Sequence, residues 1–310
     1  MFAMYDYIEF SKYLSDDYYD DSRISHFNEL TDKYSSMRVS YNKDKKLLTV
    51  RGSLAYFIQG HNFWFDIKGI EKAINKLSEL LCVDLYDAEV NIIEYGVIVK
   101  PDFSMEEFIN NHLNTRGYEE ITYGNRGKNY VRKDKSYTLK FYSLWANIDN
   151  GKNKVSGETR AMLKESCLGR EHNPIRYEIH GNPQKILGRG RIFVSDLLSK
   201  EVEKQFQEVL LKKYRKIKKW EPLKIGKMRR CDSLMVSLAV LSEKDKRYQE
   251  RILSMVDTLN VKEDAKLSRK TFFRNKFRQI PREKCSFSIE NLIVEAFKED
   301  VLNINEKNLD

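Results

Sequence analysis

The sequence predicts an α+β fold: an antiparallel-sheet domain over residues 1–192, then a helical, basic region over 193–310. Three observations lead there. Short apolar runs alternate with polar residues and turn signals through the first part, two helical stripes interrupt them, and from Val194 onward the spacing is helical almost to the end.

The elements follow in order. Residues 36–42 and 46–57 read as strands flanking the polar turn Asn42–Lys46. Apolar residues at 70, 73, 74, 77, 80 and 81 predict a helix over Ile67–Leu81. Ala88–Val99 is strand-like and closed by Lys100-Pro101, and Ser104 caps a helix to about Asn114, with Glu106 and Glu107 suited to its dipole. Strands are expected at 120–123, 129–133 and 136–146, with the polar stretch 149–170 left unassigned. A further strand, Ile175–His180, lies between Asn173-Pro174 and Gly181-Asn182-Pro183. Helices are then expected from a cap at Ser195 or Asp196 through Tyr214, and at 231–241, 246–259, 269–278 and 289–301.

Charge is unevenly spread. The net charge is +9, yet residues 1–150 hold 19 basic and 23 acidic side chains, which leaves 36 basic and 23 acidic for the remainder. A basic excess confined to one half favours a polyanionic partner, nucleic acid before an anionic membrane. The four cysteines are scattered without a CxxC pair, which argues against a zinc site or a disulfide framework and fits a reducing cytoplasm. No signal peptide is read at the start and no apolar run approaches the ~20 residues of a membrane span, so a cytoplasmic protein of a bacterial host is expected.

Three strands carry polar groups where a buried face should be apolar. Residues i and i+2 share a face, so Glu94 lies with Val90, Ile92, Gly96 and Ile98, Lys140 with Thr138 and Tyr142, and Glu178 with Arg176 and His180. An acid among apolar neighbours is costly unless a cation compensates it. If these strands are neighbours, Glu94, Glu178 and His180 form a candidate site for Mg²⁺ or Mn²⁺, with Tyr142 and Lys140 beside it. The plainer alternatives are a Glu178–Arg176 ion pair and a Tyr142 that is simply one of 18 tyrosines.

One stretch raises the weight of the chemical reading. Val50-Arg51-Gly52-Ser53-Leu54-Ala55-Tyr56-Phe57-Ile58-Gln59-Gly60-His61-Asn62 resembles the GS-L-x-K-F-x-x-G-x-N segment of phage and plasmid replication proteins of the gene II/X type. That family continues with an apolar-striped helix, an A-x-V-x-R-x-D strand, a K-x-Y-D-K strand and an R-x-E strand. Here Ile67–Leu81, Ala88–Glu94, Leu139–Tyr142 and Ile175–Glu178 follow in that order, and the resemblance covers about residues 46–215. It implies a nicking-enzyme (HUH, Rep-like) domain related to plasmid rolling-circle initiators, with a divalent metal and a catalytic tyrosine. Glu94 and Glu178 then correspond to metal ligands, Tyr142 to the nucleophile and Lys140 to its neighbour. Glu94 replaces an aspartate, and Ser143 and Leu144 replace the acid and lysine that commonly follow the tyrosine; Tyr137 and Tyr177 are the other candidates.

The expected DNA contacts are Arg126, Lys128, Arg132 and Lys133 around the 125–128 turn, Arg176 on its strand, and Arg269, Lys270, Arg274, Lys276 and Arg278 on a helix capped by Ser268. The function expected is that of a rolling-circle initiator. It would act on single-stranded and origin DNA, work with host helicase and polymerase, have no membrane role, and be compatible with a dimer. A non-catalytic DNA-binding regulator and a metal-dependent nuclease using water are the rivals.

Overall fold

The computed structural model describes residues 3–15, 36–150, 155–165, 168–220, 248–279 and 286–306. Its contacts group Met1–Lys218 with Phe287–Asp310 in one unit and Lys219–Ser286 in another. This grouping differs from the expected division at residue 192, because Val202, Phe206, Leu210, Ile289 and Ile293 belong to the core of the first unit.

The first unit is α+β, built on one eight-stranded antiparallel sheet. In chain order the strands are β1 (Ala3–Tyr13), β2 (Met37–Asn42), β3 (Leu47–Ser53), β4 (Glu89–Val99), β5 (Tyr118–Thr122), β6 (Gly127–Arg132), β7 (Tyr137–Ser143) and β8 (Ile175–Gly181). Their order across the sheet is β2-β3-β1-β4-β8-β7-β6-β5. The helices between them are α1 (Leu54–Gln59), α2 (Ile67–Leu81), α3 (Met105–Asn111), α4 (Leu144–Asp149) and α5 (Gly157–Glu165); α6 (Pro183–Leu187), α7 (Lys200–Lys216) and α10 (Glu290–Glu306) follow β8.

One sheet face makes the core. Tyr5, Tyr95, Phe141 and Tyr177 are buried there, the Tyr177 hydroxyl donates to the carbonyl of Leu210, and Tyr5 meets Phe206 edge-on at 5.9 Å, both partners lying on α7. Helix α2 keeps the expected bounds and buries Ile70, Ala73, Ile74, Leu77 and Leu81.

Three expectations change. β1 had not been read as a strand, yet it pairs with both β3 and β4 at the centre of the sheet. The strands expected to run to residues 57 and 146 end early, and short helices follow. In each case a serine accepts a backbone N–H, Ser53 from Tyr56 and Ser143 from Ala146, and turns the chain into a helix whose first residue, Leu54 or Leu144, is buried. Finally, 157–165 is helical where nothing was assigned.

The second unit contains α8 (Tyr248–Asp257) and α9 (Glu263–Gln279). Helix α9 begins at Glu263, so Ser268 is an interior residue and not its cap. The helix expected at 231–241 lies outside the described residues. No described helix is long and apolar enough to cross a membrane.

Candidate metal centre and its tyrosine

The three strands with unexpected polar positions are adjacent. β8 pairs with β4 on one side and β7 on the other, which places Glu94 and Thr138 opposite His180, Gly96 and Lys140 opposite Glu178, and Ile98 and Tyr142 opposite Arg176. All these side chains therefore share the sheet face away from the core. Gly96 is what makes room: a Cβ there would lie 2.5 Å from Cγ of Glu178 and 2.7 Å from the carbonyl of Tyr177.

A third acid joins from β1. Between Tyr5 and Ile8, β1 advances three residues while β4 advances two, so the strand bulges at Asp6 and Tyr7. The bulge turns both onto the polar face: Asp6 reaches Arg176, and the Tyr7 ring lies 5.9 Å from that of His180. Ligand atoms of Asp6, Glu94 and Glu178 all lie within 4.8 Å of one another, and all three residues are buried.

Each acid is held by its own partners. Asp6 accepts from Ser53 Oγ (2.8 Å), Asn62 Nδ2 (2.6 Å) and Arg176 (2.9 Å). Glu94 is ion-paired with Lys140 and bonded to Nδ1 of His180 at 2.9 Å. Glu178 Oε1 abuts the Arg176 guanidinium and accepts the Tyr142 hydroxyl at 2.9 Å, while its buried Oε2 has no donor. That acceptor lies beside two other carboxylates, an arrangement that can hold a cation or, without one, a proton shared with Glu94. An all-oxygen donor set suits Mg²⁺ or Mn²⁺.

The charges are strongly linked. Burial raises Glu178 well above the usual carboxylate range, with the Glu94 charge adding to it and Arg176 opposing. Burial likewise raises Asp6, again against Arg176. For Glu94 burial also acts upward, but the His180 hydrogen bond and the Lys140 charge outweigh it and hold the carboxyl low. The Tyr142 hydroxyl is pushed well above its ordinary value, first by burial and then by Glu178 and Glu94, against Arg176.

A stability trend follows. A carboxyl with a folded pKa above its unfolded one binds more protons in the native state, so stability falls as pH rises from the unfolded value through the folded one. Metal-free protein should therefore lose melting temperature through Asp6 and Glu178 as pH rises above the ordinary carboxylate range, and Mg²⁺ should recover most of it at the alkaline end. Thermal scans in chelator and in Mg²⁺ measure both.

No protein-family model matches the chain, and no curated protein does. What the site can do must be read from its residues.

Of the expected residues, the fold brings together Glu94, Glu178, Lys140, Tyr142, His180 and Arg176. His180 is not part of the three-acid group but supports Glu94 from the side, and Asp6 occupies the third place. Arg176, expected on a DNA surface, is fully buried as the counter-charge of Asp6 and Glu178. Lys128 is also corrected. It is 3% exposed, pairs with Glu120 at 2.8 Å and donates to the carbonyls of Ile109 and His112 at the end of α3, so no phosphate can reach it. Tyr177 points into the core, and Tyr137 shares the core face with its hydroxyl 2.7 Å from that of Tyr118, so neither is an alternative to Tyr142.

The remaining cations are on surfaces. Arg126 and Lys133 are exposed, Arg126 bonding Asn150, and half-buried Arg132 lies near Asp134. On α9, Arg269 and Arg274 are exposed and Lys270 pairs with Asp257. Lys276 and Arg278 lie on the same helix, and their side chains fall outside the described residues.

Two further site residues were missed, Asp6 and Tyr56, whose buried hydroxyl has no partner and whose pKa is pushed up to about 12 by burial and by Asp6. The available signal for Asp6 was an acid within the apolar run Met4–Phe10.

Proposed function

We propose that this protein nicks and rejoins single-stranded DNA through Tyr142, the activity of a rolling-circle replication initiator. The observation that carries the reading is a tyrosine hydroxyl hydrogen-bonded to one member of a buried three-carboxylate cluster. The ordered motifs between residues 50 and 178 and the basic second half of the chain support it. The segment singled out by that resemblance also has a physical role, since Ser53 and Asn62 orient Asp6.

Held by Asp6, Glu94 and Glu178, a Mg²⁺ or Mn²⁺ ion would neutralise charge on the non-bridging oxygens of the scissile phosphate. The phenolic oxygen of Tyr142 attacks phosphorus and the bond to the 3′ oxygen breaks, which leaves a 5′-phosphotyrosine link and a free 3′-hydroxyl. The phenol proton leaves along the existing hydrogen bond to Glu178 Oε1, and a carboxyl whose pKa burial raises is the stronger base. Lys140, half-exposed beside Glu94, supplies positive charge toward the phosphate, and Arg176 keeps the acids in place. Reverse attack by a 3′-hydroxyl rejoins the strand without ATP. The partners are then origin DNA and the host helicase and polymerase that extend the free end, in a bacterial cytoplasm.

The test is a denaturing gel of protein incubated with Mn²⁺ and a labelled single strand from its replicon. A covalent adduct carrying the 3′ label, absent in Tyr142→Phe, is the expected result. Cleavage without an adduct identifies a nuclease using water, and binding alone identifies a DNA-binding regulator.

A further inference from the structure

A second concentration of charge lies at the end of the sheet, on the helix side. A cavity of about 630 Å³ opens where β6 ends and β7 begins, and Tyr137 in its wall is on the face opposite to Lys140 and Tyr142. Six cations from separate segments line it: Arg116 before β5, Arg132 closing β6, Lys185 on α6, Lys213 and Lys216 on α7, and Lys218 beyond. The only acid in the wall is Asp134, which is already bonded to Ser136 and Arg132.

Apart from Arg132, which meets Asp134, these cations are held without a paired acid. Lys213 sits over the Tyr137 ring at 4.4 Å, an aromatic face doing the positioning that a carboxylate usually does, and Arg132 lies over the Tyr118 ring at 5.5 Å besides meeting Asp134. Among the described residues, Arg116, Lys185, Lys213, Lys216 and Lys218 form no ion pair. Helix α7 ends with Lys213, Arg215 and Lys216, which its dipole favours, but the dipole does not explain Arg116, Arg132 and Lys185 arriving from other elements. Burial lowers the pKa of Lys213, and Arg132 and Lys212 add to that against Tyr118 and Asp134. Like charges gathered at such cost point to a multiply charged anion.

We propose that this pocket binds the phosphate backbone of a single nucleic-acid strand, as a site separate from the carboxylate cluster. Six cations exceed what one inorganic phosphate needs, while a strand presents phosphates in series to a groove of positive charge. The proposal deepens the nicking reading by locating flanking strand, but its test measures binding and not cleavage, so either can fail alone.

The experiment is fluorescence anisotropy of a labelled 20-nucleotide single strand with the full-length protein in EDTA, across a salt series. Lys185 and Lys216 are both exposed, so Lys185→Glu/Lys216→Glu should leave the fold intact. Affinity should fall by about tenfold or more at 0.1 M salt, and the slope of log K against log salt should shrink by about 1.4, or ~0.7 per lost phosphate contact. The control, Lys68→Glu/Lys72→Glu on exposed positions of α2, makes the same change in net charge and should leave the slope unchanged. Equal losses in both variants, or none in the pocket variant, overturn the proposal. So does a pocket variant that loses binding to anionic phosphatidylserine vesicles while keeping its affinity for DNA.

Discussion

Asp6→Asn should remove most of the response of the protein to divalent metal, at some cost in metal-free stability because Arg176 loses one of its two buried counter-charges. The substitution keeps the size of the side chain and removes the charge, but leaves one acceptor oxygen where Asp6 accepts on two, from Ser53 on one and from Asn62 and Arg176 on the other, so some stability is lost with it. In the wild type, metal at about 100 times its Kd stabilises by ~2.7 kcal/mol, which for a domain of this size raises Tm by roughly 5–10 °C. With two acids left, that shift should fall below about 2 °C at the same Mn²⁺ concentration. Loss of a full ligand should also lower metal-dependent strand cleavage by on the order of 100-fold or more, since the metal's contribution is several kcal/mol. Scanning fluorimetry with and without Mn²⁺ gives the first number and the gel assay the second. An unchanged metal-induced shift in a folded variant would remove Asp6 from the centre. His180→Ala is the companion measurement. The imidazole bonds Glu94 from outside the three-acid group, so this variant should keep most of the shift.

Arg176→Met should destabilise the metal-free protein by about 3–5 kcal/mol at neutral pH, the range for removing one partner from a buried ion pair. Arg176 is fully buried against Asp6 and Glu178 and donates to the carbonyl of Asn62. Without it, two carboxyls that burial has already raised rise further, because the Arg176 charge was what lowered them. They then stay protonated in the native state over a wider pH range. The penalty should therefore be smaller in acid, where protonation of these carboxyls removes the charge that Arg176 compensates, and grow as pH rises through their folded values. Urea titrations at pH 5 and pH 8 measure this. A uniform loss at both pH values would mean that Arg176 acts by packing and not by charge. Methionine retains the length of the stem, which limits the contribution of a cavity.

Much of this site was legible from alternation alone. Period two puts Lys140 with Tyr142 and Arg176 with Glu178 on one face, opposite the apolar residues of their strands, and Glu94 stands out as an acid among apolar neighbours; the observed register brings them together. Helix α2 was equally legible because its stripe repeats over four turns. Asp6 was hidden for two reasons. β1 pairs with strands about 40 and 85 residues away, so nothing local marks it as central, and a bulge breaks the alternation that would have shown which way Asp6 points. The early strand ends at Ser53 and Ser143 were missed because the apolar run continues without a break into the following helix. A serine before leucine reads the same in a strand as at a helix cap.

The sequence by itself determined the class of fold, the faces of the main strands and the presence of charge that required compensation. Those are properties of neighbours along the chain, set by side-chain period and by the cost of burying an unpaired acid. Only the tertiary structure decided which acids form the group of three, and that Arg176 and Lys128 are interior counter-charges while Lys185, Lys213 and Lys216 converge from distant segments on one pocket. A lysine's chemistry is the same in every turn of sequence. Whether it meets a carbonyl, a carboxylate or open solvent depends on chain segments brought alongside it by packing, and local pattern holds no record of them.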